Sequence, residues 1–428
     1  SEFVVNRPDE VMMSGVGGSV GIQPVSAGYD VNEVFIEALV PIVQDTRGFR
    51  DFSLELGYRY SDYSTSGGSD TYKGLLNWAV TDSWRFRGGY NRAVRAPTVY
   101  EMFFPQDHYS AGRDPCANDR ETGVPEASLE ECMRTGVTEE QYGNIPAIGG
   151  LNRIWGGNPL LEPEVADTVT AGLVWTPQAV PGLSVTADYY NIELTGAIEE
   201  LWAEFIIEFC AATGDPQLCS LIHRDQFGSL GLTPDGYVDE TYQNIGLRST
   251  AGVDLNLNYL IGLGDAGYLN TALIGTYLIS QRKANPSYDF DCAGYYGDLC
   301  GQPLARWRHR FRATWETRFN LNLSLTWRRT GSAEIDAASS DPDLSDPEWL
   351  EEARINGIDT TRAYDWFDLA ASYTWRNGIQ LTVGVNNIFD EEPPLMPWFS
   401  SSIGTSFNLY GNYDPLGRRI FASLQFAF

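Results

Sequence analysis

Several stretches of this chain alternate apolar and polar residues for longer than a soluble strand usually does. Phe52, Leu54, Leu56, Tyr58 and Tyr60 alternate with Ser53, Glu55, Gly57, Arg59 and Ser61. Ala251, Val253, Leu255, Leu257 and Tyr259 alternate with Gly252, Asp254, Asn256 and Asn258. Phe319, Leu321, Leu323, Leu325 and Trp327 are separated by Asn320, Asn322, Ser324 and Thr326, and Ile379, Leu381, Val383 and Val385 by Gln380, Thr382 and Gly384. The last residues repeat the pattern: Ile420, Ala422, Leu424, Phe426 and Phe428 are apolar, with Ser423 and Gln425 between them. A period of two gives a strand one greasy and one polar face. Sandwich strands keep it for about five or six residues. These runs last about nine or more, enough to cross a bilayer at a tilt, and aromatics gather at their ends as membrane interfaces require. The expected fold is all-β, a transmembrane antiparallel β-barrel.

Composition agrees with that reading. No apolar run reaches the roughly 18 residues of a membrane-spanning helix, and a barrel needs none, because its lipid-facing groups sit at alternate positions. A mean hydropathy of −0.26 is therefore compatible with a membrane protein. A formal net charge of −28 argues against a nucleic-acid partner, since such binding rests on Lys and Arg at phosphates.

Thirteen strands are expected, at 31–44, 51–64, 70–81, 83–94, 164–177, 182–197, 243–261, 266–283, 305–318, 319–335, 363–376, 378–390 and 417–428. Their connections alternate between short turns and long segments at 95–163, 198–242, 284–304, 336–362 and 391–416, with one short exception at 65–69. Barrels of the outer membrane have tight periplasmic turns and longer external loops. All six cysteines, Cys116, Cys132, Cys210, Cys219, Cys292 and Cys300, fall in the long set as three close pairs. The spacing is not CxxC and the only histidines are His108, His223 and His309, so disulfides are expected rather than a metal site. A single-chain barrel closes with an even number of strands and ends on a descending one. Thirteen is odd, so further strands are expected elsewhere, with residues 1–30 as an external loop segment; the alternative is one missed or split strand, within 95–163.

The motifs carry a resemblance. NRAVRAP at 91–97 with VYEMF at 99–103, GNPLLEPE at 157–164, DYYNI at 188–192, GVNNIFD at 384–390 and GRRIF at 417–421 resemble, in order, segments of TonB-dependent receptors. The resemblance implies a barrel of about 22 strands around an N-terminal plug, with residues 31–428 as its C-terminal part and the plug outside this chain. It implies a bacterial outer-membrane location and active import of a scarce ligand, such as an iron chelate or a saccharide, driven by the TonB complex through the plug. Membrane lipid and lipopolysaccharide would surround it. A passive porin or surface adhesin is the alternative. An enzyme is not expected: GGSVG at 17–21 satisfies G-x-S-x-G, but in a Gly/Ser-rich loop rather than a strand–turn–helix.

Candidate site residues follow. Arg92 is expected on the polar, lumen-facing phase with Arg95 just beyond it, both meeting plug carboxylates. Arg306, Arg308, Arg310 and Arg312 recur at period two and are expected to form a basic lumen stripe paired with inward acids on neighbouring strands. Segment 198–222 is expected to hold a short helix around Trp202, Phe205, Ile206 and Phe209, tied by Cys210 and Cys219. The acids Asp336, Asp341, Asp343, Asp346, Glu348, Glu351 and Glu352 suggest a solvated loop, with Ca²⁺ as the sharper reading; no other cofactor is expected. Trp398, Phe399, Phe407 and Tyr410 are candidates for stacking on a ligand.

Overall fold

A computed structural model of the chain describes residues 2–10, 13, 23–286, 288–375, 378–394, 413–414 and 416–426. One antiparallel sheet runs strand by strand in chain order. Its members are Val31–Thr46, Phe49–Tyr63, Gly67–Ala79, Trp84–Arg95, Glu164–Trp175, Leu183–Glu199, Gln243–Gly262, Tyr268–Asn285, Trp307–Glu316, Leu321–Thr330, Tyr364–Thr374, Ile379–Asn386 and Arg419–Phe426. Each overlaps one of the thirteen expected strands. The sheet does not close: among the described residues, Val31–Thr46 pairs only with Phe49–Tyr63 and Arg419–Phe426 only with Ile379–Asn386.

Register keeps the two faces distinct. Leu257 sits opposite Leu273 and Val185, and Leu273 opposite Phe311. One residue along, Asn256 meets Thr186 and Ile274 on the other face. Residues in the left-handed region serve the tight turns at one end of the wall, Asp45 (φ 52°) and Asn320 (φ 57°) among them. Short polar side chains tolerate that backbone. The same end carries an aromatic belt: Phe49 stacks on Trp78 at 5.4 Å and Trp84 on Trp175 at 5.5 Å.

Most of the dry cores lie in the long connections; one small cluster, Tyr364, Trp366 and Tyr413, sits on the wall. In one loop core, Leu151, Ile206, Ile207, Leu218, Leu230 and Val238 are buried together. A second surrounds Cys116, Cys132, Val137 and Ile145, and a third Tyr296, Ile335 and Ala353. A four-stranded sheet, ordered Ile222–His223, Tyr237–Asp239, Leu151–Trp155, Asp107–Ala111, joins two of these connections. Residues 95–163 thus have their own secondary structure, including helices Val99–Phe103 and Leu129–Arg134. Each starts with a capping box, Thr98 with Glu101 and Ser128 with Glu131, which satisfies backbone N–H groups at the helix start.

The helix expected in 198–222 forms at Ala203–Thr213. Its buried side is Ile206, Ile207, Cys210 and Ala211, Phe205 stacks on Phe209, and Trp202 is left exposed. All three disulfides form as paired: Cys116–Cys132, Cys210–Cys219 and Cys292–Cys300. Before them, Glu2–Asn6 and Val25–Tyr29 make a separate hairpin that packs on helix Val99–Phe103.

Candidate functional site

The polar face of the wall carries ion pairs between strands. Arg87 reaches across Gly172 to Asp188, with Nε and Nη2 at 2.8 and 2.5 Å from its carboxylate. A side chain at Gly172 would collide with both partners, so the glycine is what lets strands two apart connect here. Lys73 binds Glu55 at 2.6 Å and Glu37 at 3.2 Å. Arg328 binds Asp368 at 2.9 Å and Asp414 at 3.3 Å.

Arg92 does not belong to this face. Trp84, Phe86, Tyr90 and Arg92 share one side of their strand, opposite Trp175, Leu173, Val169 and Asp167. Arg92 therefore points outward, bonded to Asp167 at 2.8 and 2.7 Å, with its guanidinium 5.6 Å from the Tyr72 ring centre. Trp84 and Arg92 are roughly 27 Å apart along the strand at the usual rise of about 3.4 Å per residue. With strands tilted by about 40° that is about 21 Å of height, so Arg92 lies towards the far edge of the roughly 25 Å apolar band, where an outward charge costs less than at its middle. Arg282 with Asp289 and Arg329 with Asp365 lie on the same outward side near the same end.

The basic stripe forms but does not pair as expected. Arg308, Arg310 and Arg312 share the polar face of Trp307–Glu316, and Arg306 precedes that strand. All four are exposed. Arg312 donates to the Ser324 hydroxyl at 2.8 Å and Arg306 to the Ile279 carbonyl at 2.9 Å. Among the described residues none of the four makes an ion pair, and the acid Asp368 on the same face is held by Arg328.

Arg95 does face inward, and its carboxylates come from this chain. Nε lies 2.5 Å from Glu164 and Nη1 2.9 Å from Glu101, which draws helix Val99–Phe103 over the polar side at the long-loop end. Burial alone would raise the Glu101 carboxyl. Hydrogen bonds from Arg95 and Thr98 outweigh it and hold the group below the usual glutamate range.

Above it the loop sheet is fixed by buried charge. Arg153, 3% exposed, binds Glu240, 2% exposed, at 3.0 Å. It also bonds Glu204 and donates to the Ala111 carbonyl at 3.0 Å. Glu240 accepts in addition from the Tyr109 hydroxyl at 2.6 Å and from the Ala203 N–H. A second buried pair, Arg224 with Asp114 at 2.7 Å, ties residues 110 positions apart. Sequence reading singled out none of these residues.

In the acidic segment the carboxylates mostly accept backbone N–H groups. Asp336 takes Leu299 and Cys300, and Asp346 caps helix Pro347–Ile355. Burial pushes the Asp336 carboxyl up, against those bonds. No group of three metal-ligating side chains occurs among the described residues. Trp398, Phe399, Phe407 and Tyr410, and the GGSVG segment, lie outside the described residues. The GVNNIFD motif ends in a turn. Buried Asn387 exchanges bonds with the Glu391 backbone at 2.8 and 2.9 Å, and Asp390 accepts from the Arg418 N–H at 2.7 Å, aiming the chain into the last strand.

The architecture recurs in solved structures. A variant of the ferric enterobactin receptor PfeA of Pseudomonas aeruginosa superposes with a TM-score of 0.58 at 15% identity, over 96% of this chain and 46% of that one. The siderophore receptor PirA of Acinetobacter baumannii gives 0.56 at 13%, over 94% and 46%. The FrpB iron transporter of Neisseria meningitidis gives 0.51 at 13%, over 92% and 44%. These identities speak to the fold, and this chain spans under half the length of those proteins. No curated protein matches the sequence. The family model described as TonB dependent receptor-like, beta-barrel, matches residues 14–388. The chain therefore belongs to the TonB-dependent receptors of the bacterial outer membrane and contributes to their barrel wall.

Proposed function

We propose that this chain is the C-terminal part, residues 31–428, of a receptor wall through which a scarce ligand, an iron chelate, a saccharide or similar, is actively imported with energy from the TonB complex. Residues 1–30 act as an external loop segment. The observation that carries the reading is the open sheet with two unlike faces and two edge strands that have no second partner among the described residues. Such edges are stable only when other strands complete them. The polar face then encloses a lumen, and a plug occupies it. Arg308 and Arg310, without carboxylates among the described residues, are where plug acids are expected, because a basic stripe inside a lumen needs neutralising charge. Arg95 is a further contact at the rim. The outward Arg92, Arg282 and Arg329 would meet lipopolysaccharide phosphates. The chain acts as a conduit rather than an enzyme.

Uptake by cells carrying the full-length receptor tests this. Accumulation of ligand should cease when the proton gradient is collapsed. Arg308→Ala with Arg310→Ala should loosen the plug, read as faster proteolysis within it. Uptake that continues without the gradient would make the protein a passive porin instead.

A further inference from the structure

At the long-loop end, between the N-terminal hairpin and helix Val99–Phe103, lies a cavity of about 230 Å³. Its apolar wall is Val4, Val25, Val99, Tyr100, Phe104, Pro105 and Trp155, and its polar rim is Asn6, Gln23 and Asp107. The aromatic members form one cluster. Tyr100 and Phe104 have ring centres 4.5 Å apart, and Phe104 meets Trp155 edge-on at 5.0 Å. Tyr100 is 52% exposed, so the cluster opens to an incoming solute. The helix is held over the polar face of the wall by Arg95 and Glu101, so the cavity stands on the route to the lumen.

Size and charge select the occupant. The volume is below the roughly 300–1,000 Å³ of pockets that enclose whole drug-sized ligands. It admits one ring, not a complete metal chelate. None of the lining residues is a cation. Asp107 is on the rim. An anionic chelate would face that carboxylate without a counter-charge. A sugar ring suits both parts of the site. Its C–H groups carry partial positive charge and rest on electron-rich ring faces, while its hydroxyls bond the amides and carboxylate of the rim.

We propose that this cavity binds one pyranose ring of a neutral saccharide, stacked on Tyr100, Phe104 and Trp155 and oriented by Asn6, Gln23 and Asp107. The proposal rests on the import reading and narrows its ligand class. The amides of Asn6 and Gln23 come from the N-terminal hairpin, so the hairpin is part of the site.

Equilibrium binding to the purified full-length receptor in detergent tests it, using a panel of neutral gluco-, xylo- and mannotriose and, as the rival, a ferric tris-catecholate. At least one trisaccharide should bind. Tyr100→Ala, a change at a half-exposed side chain, should weaken it about tenfold, the scale of one aromatic contact. Asp107→Asn should weaken it several-fold, Trp155→Phe should retain most of it, and Trp202→Ala, on exposed surface elsewhere, should change nothing. The proposal is overturned if no trisaccharide binds, if Tyr100→Ala leaves binding intact, or if that variant weakens the ferric catecholate instead. Binding here needs no energy source, so it stands even if uptake proves passive. Energised uptake of a ligand indifferent to Tyr100 would keep the transporter and discard the saccharide.

Discussion

Replacing Arg153 with Met should release the external sheet while leaving the membrane wall in place. Arg153 and Glu240 are almost fully buried and bonded at 3.0 Å, and Arg153 also holds Glu204 and the Ala111 carbonyl. Removing one member of a buried pair leaves the other charge uncompensated, which costs about 3–5 kcal/mol. Glu240 would keep the Tyr109 hydroxyl and the Ala203 N–H, which favours the low end, about 3 kcal/mol. At about 1.4 kcal/mol per factor of ten, that is roughly a hundredfold faster opening. Hydrogen exchange reads it directly. Amides of Asp107–Ala111, Leu151–Trp155 and Tyr237–Asp239 should exchange about a hundredfold faster, while those of Gln243–Gly262 in the wall keep their protection. Adding Glu240→Gln to Arg153→Met should restore part of the loss, because the stranded charge is gone. If the double variant is no better than the single one, or if the external amides exchange as in the parent, the buried pair is not what holds the sheet.

The other predictions concern separate parts of the molecule. Leu257→Arg, on the lipid face opposite Leu273, should cost about 2–4 kcal/mol in urea unfolding from vesicles, whereas Asn256→Arg, one residue along, should stay under about 1 kcal/mol; equal costs would refute the assignment of faces. Glu101 titrates below its unfolded value, so its contribution is present above the ordinary glutamate range near 4.3 and is lost as pH falls through the folded value. Acidification should therefore free helix Val99–Phe103, seen as faster exchange of its amides, and Glu101→Gln should flatten that pH dependence; an unchanged profile would count against the tie to Arg95. Cys210→Ser with Cys219→Ser opens a loop of separation 9, worth about 2–3 kcal/mol by chain entropy. Limited proteolysis should then cut within 203–222, with the wall fragments intact.

The wall was legible in the sequence because the membrane imposes one rule at every strand: alternate residues meet lipid or water. That rule recovers all thirteen strands but overruns some ends. The alternation expected to reach 335 stops in the wall at Thr330, and Ala333–Ile335 joins another sheet, beside Tyr295–Tyr296. Arg92 was misplaced for a physical reason. A charge suggests the inner face, yet near the end of a strand an outward arginine is also stable when a carboxylate such as Asp167 pairs with it. Counting by twos from Trp84 and Phe86 would have placed it correctly. The loop network was not legible. Arg153 and Glu240 stand 87 residues apart with no periodic signal, and only the folding of two long connections onto each other brings them together.

The separation of wall from loops bears on how freely the proposed saccharide cavity can vary. A barrel wall has its polar side in water and its apolar side in lipid, so backbone ladders and strand-to-strand ion pairs such as Arg87 with Asp188 must hold it. The loops instead contain dry cores, three disulfides and fully buried ion pairs, the devices of small extracellular domains. Both halves use backbone ladders and ion pairs, but the disulfides and most of the dry cores belong to the loops. The aromatic cavity lies in the loop half, built on Val99–Phe103 and Trp155, and touches the wall through Arg95 and its carboxylates. Substitutions that reshape the cavity should therefore leave barrel stability nearly unchanged, because sites without shared partners contribute independently. By the same argument, substitutions at Arg95 are the ones expected to disturb recognition and wall together.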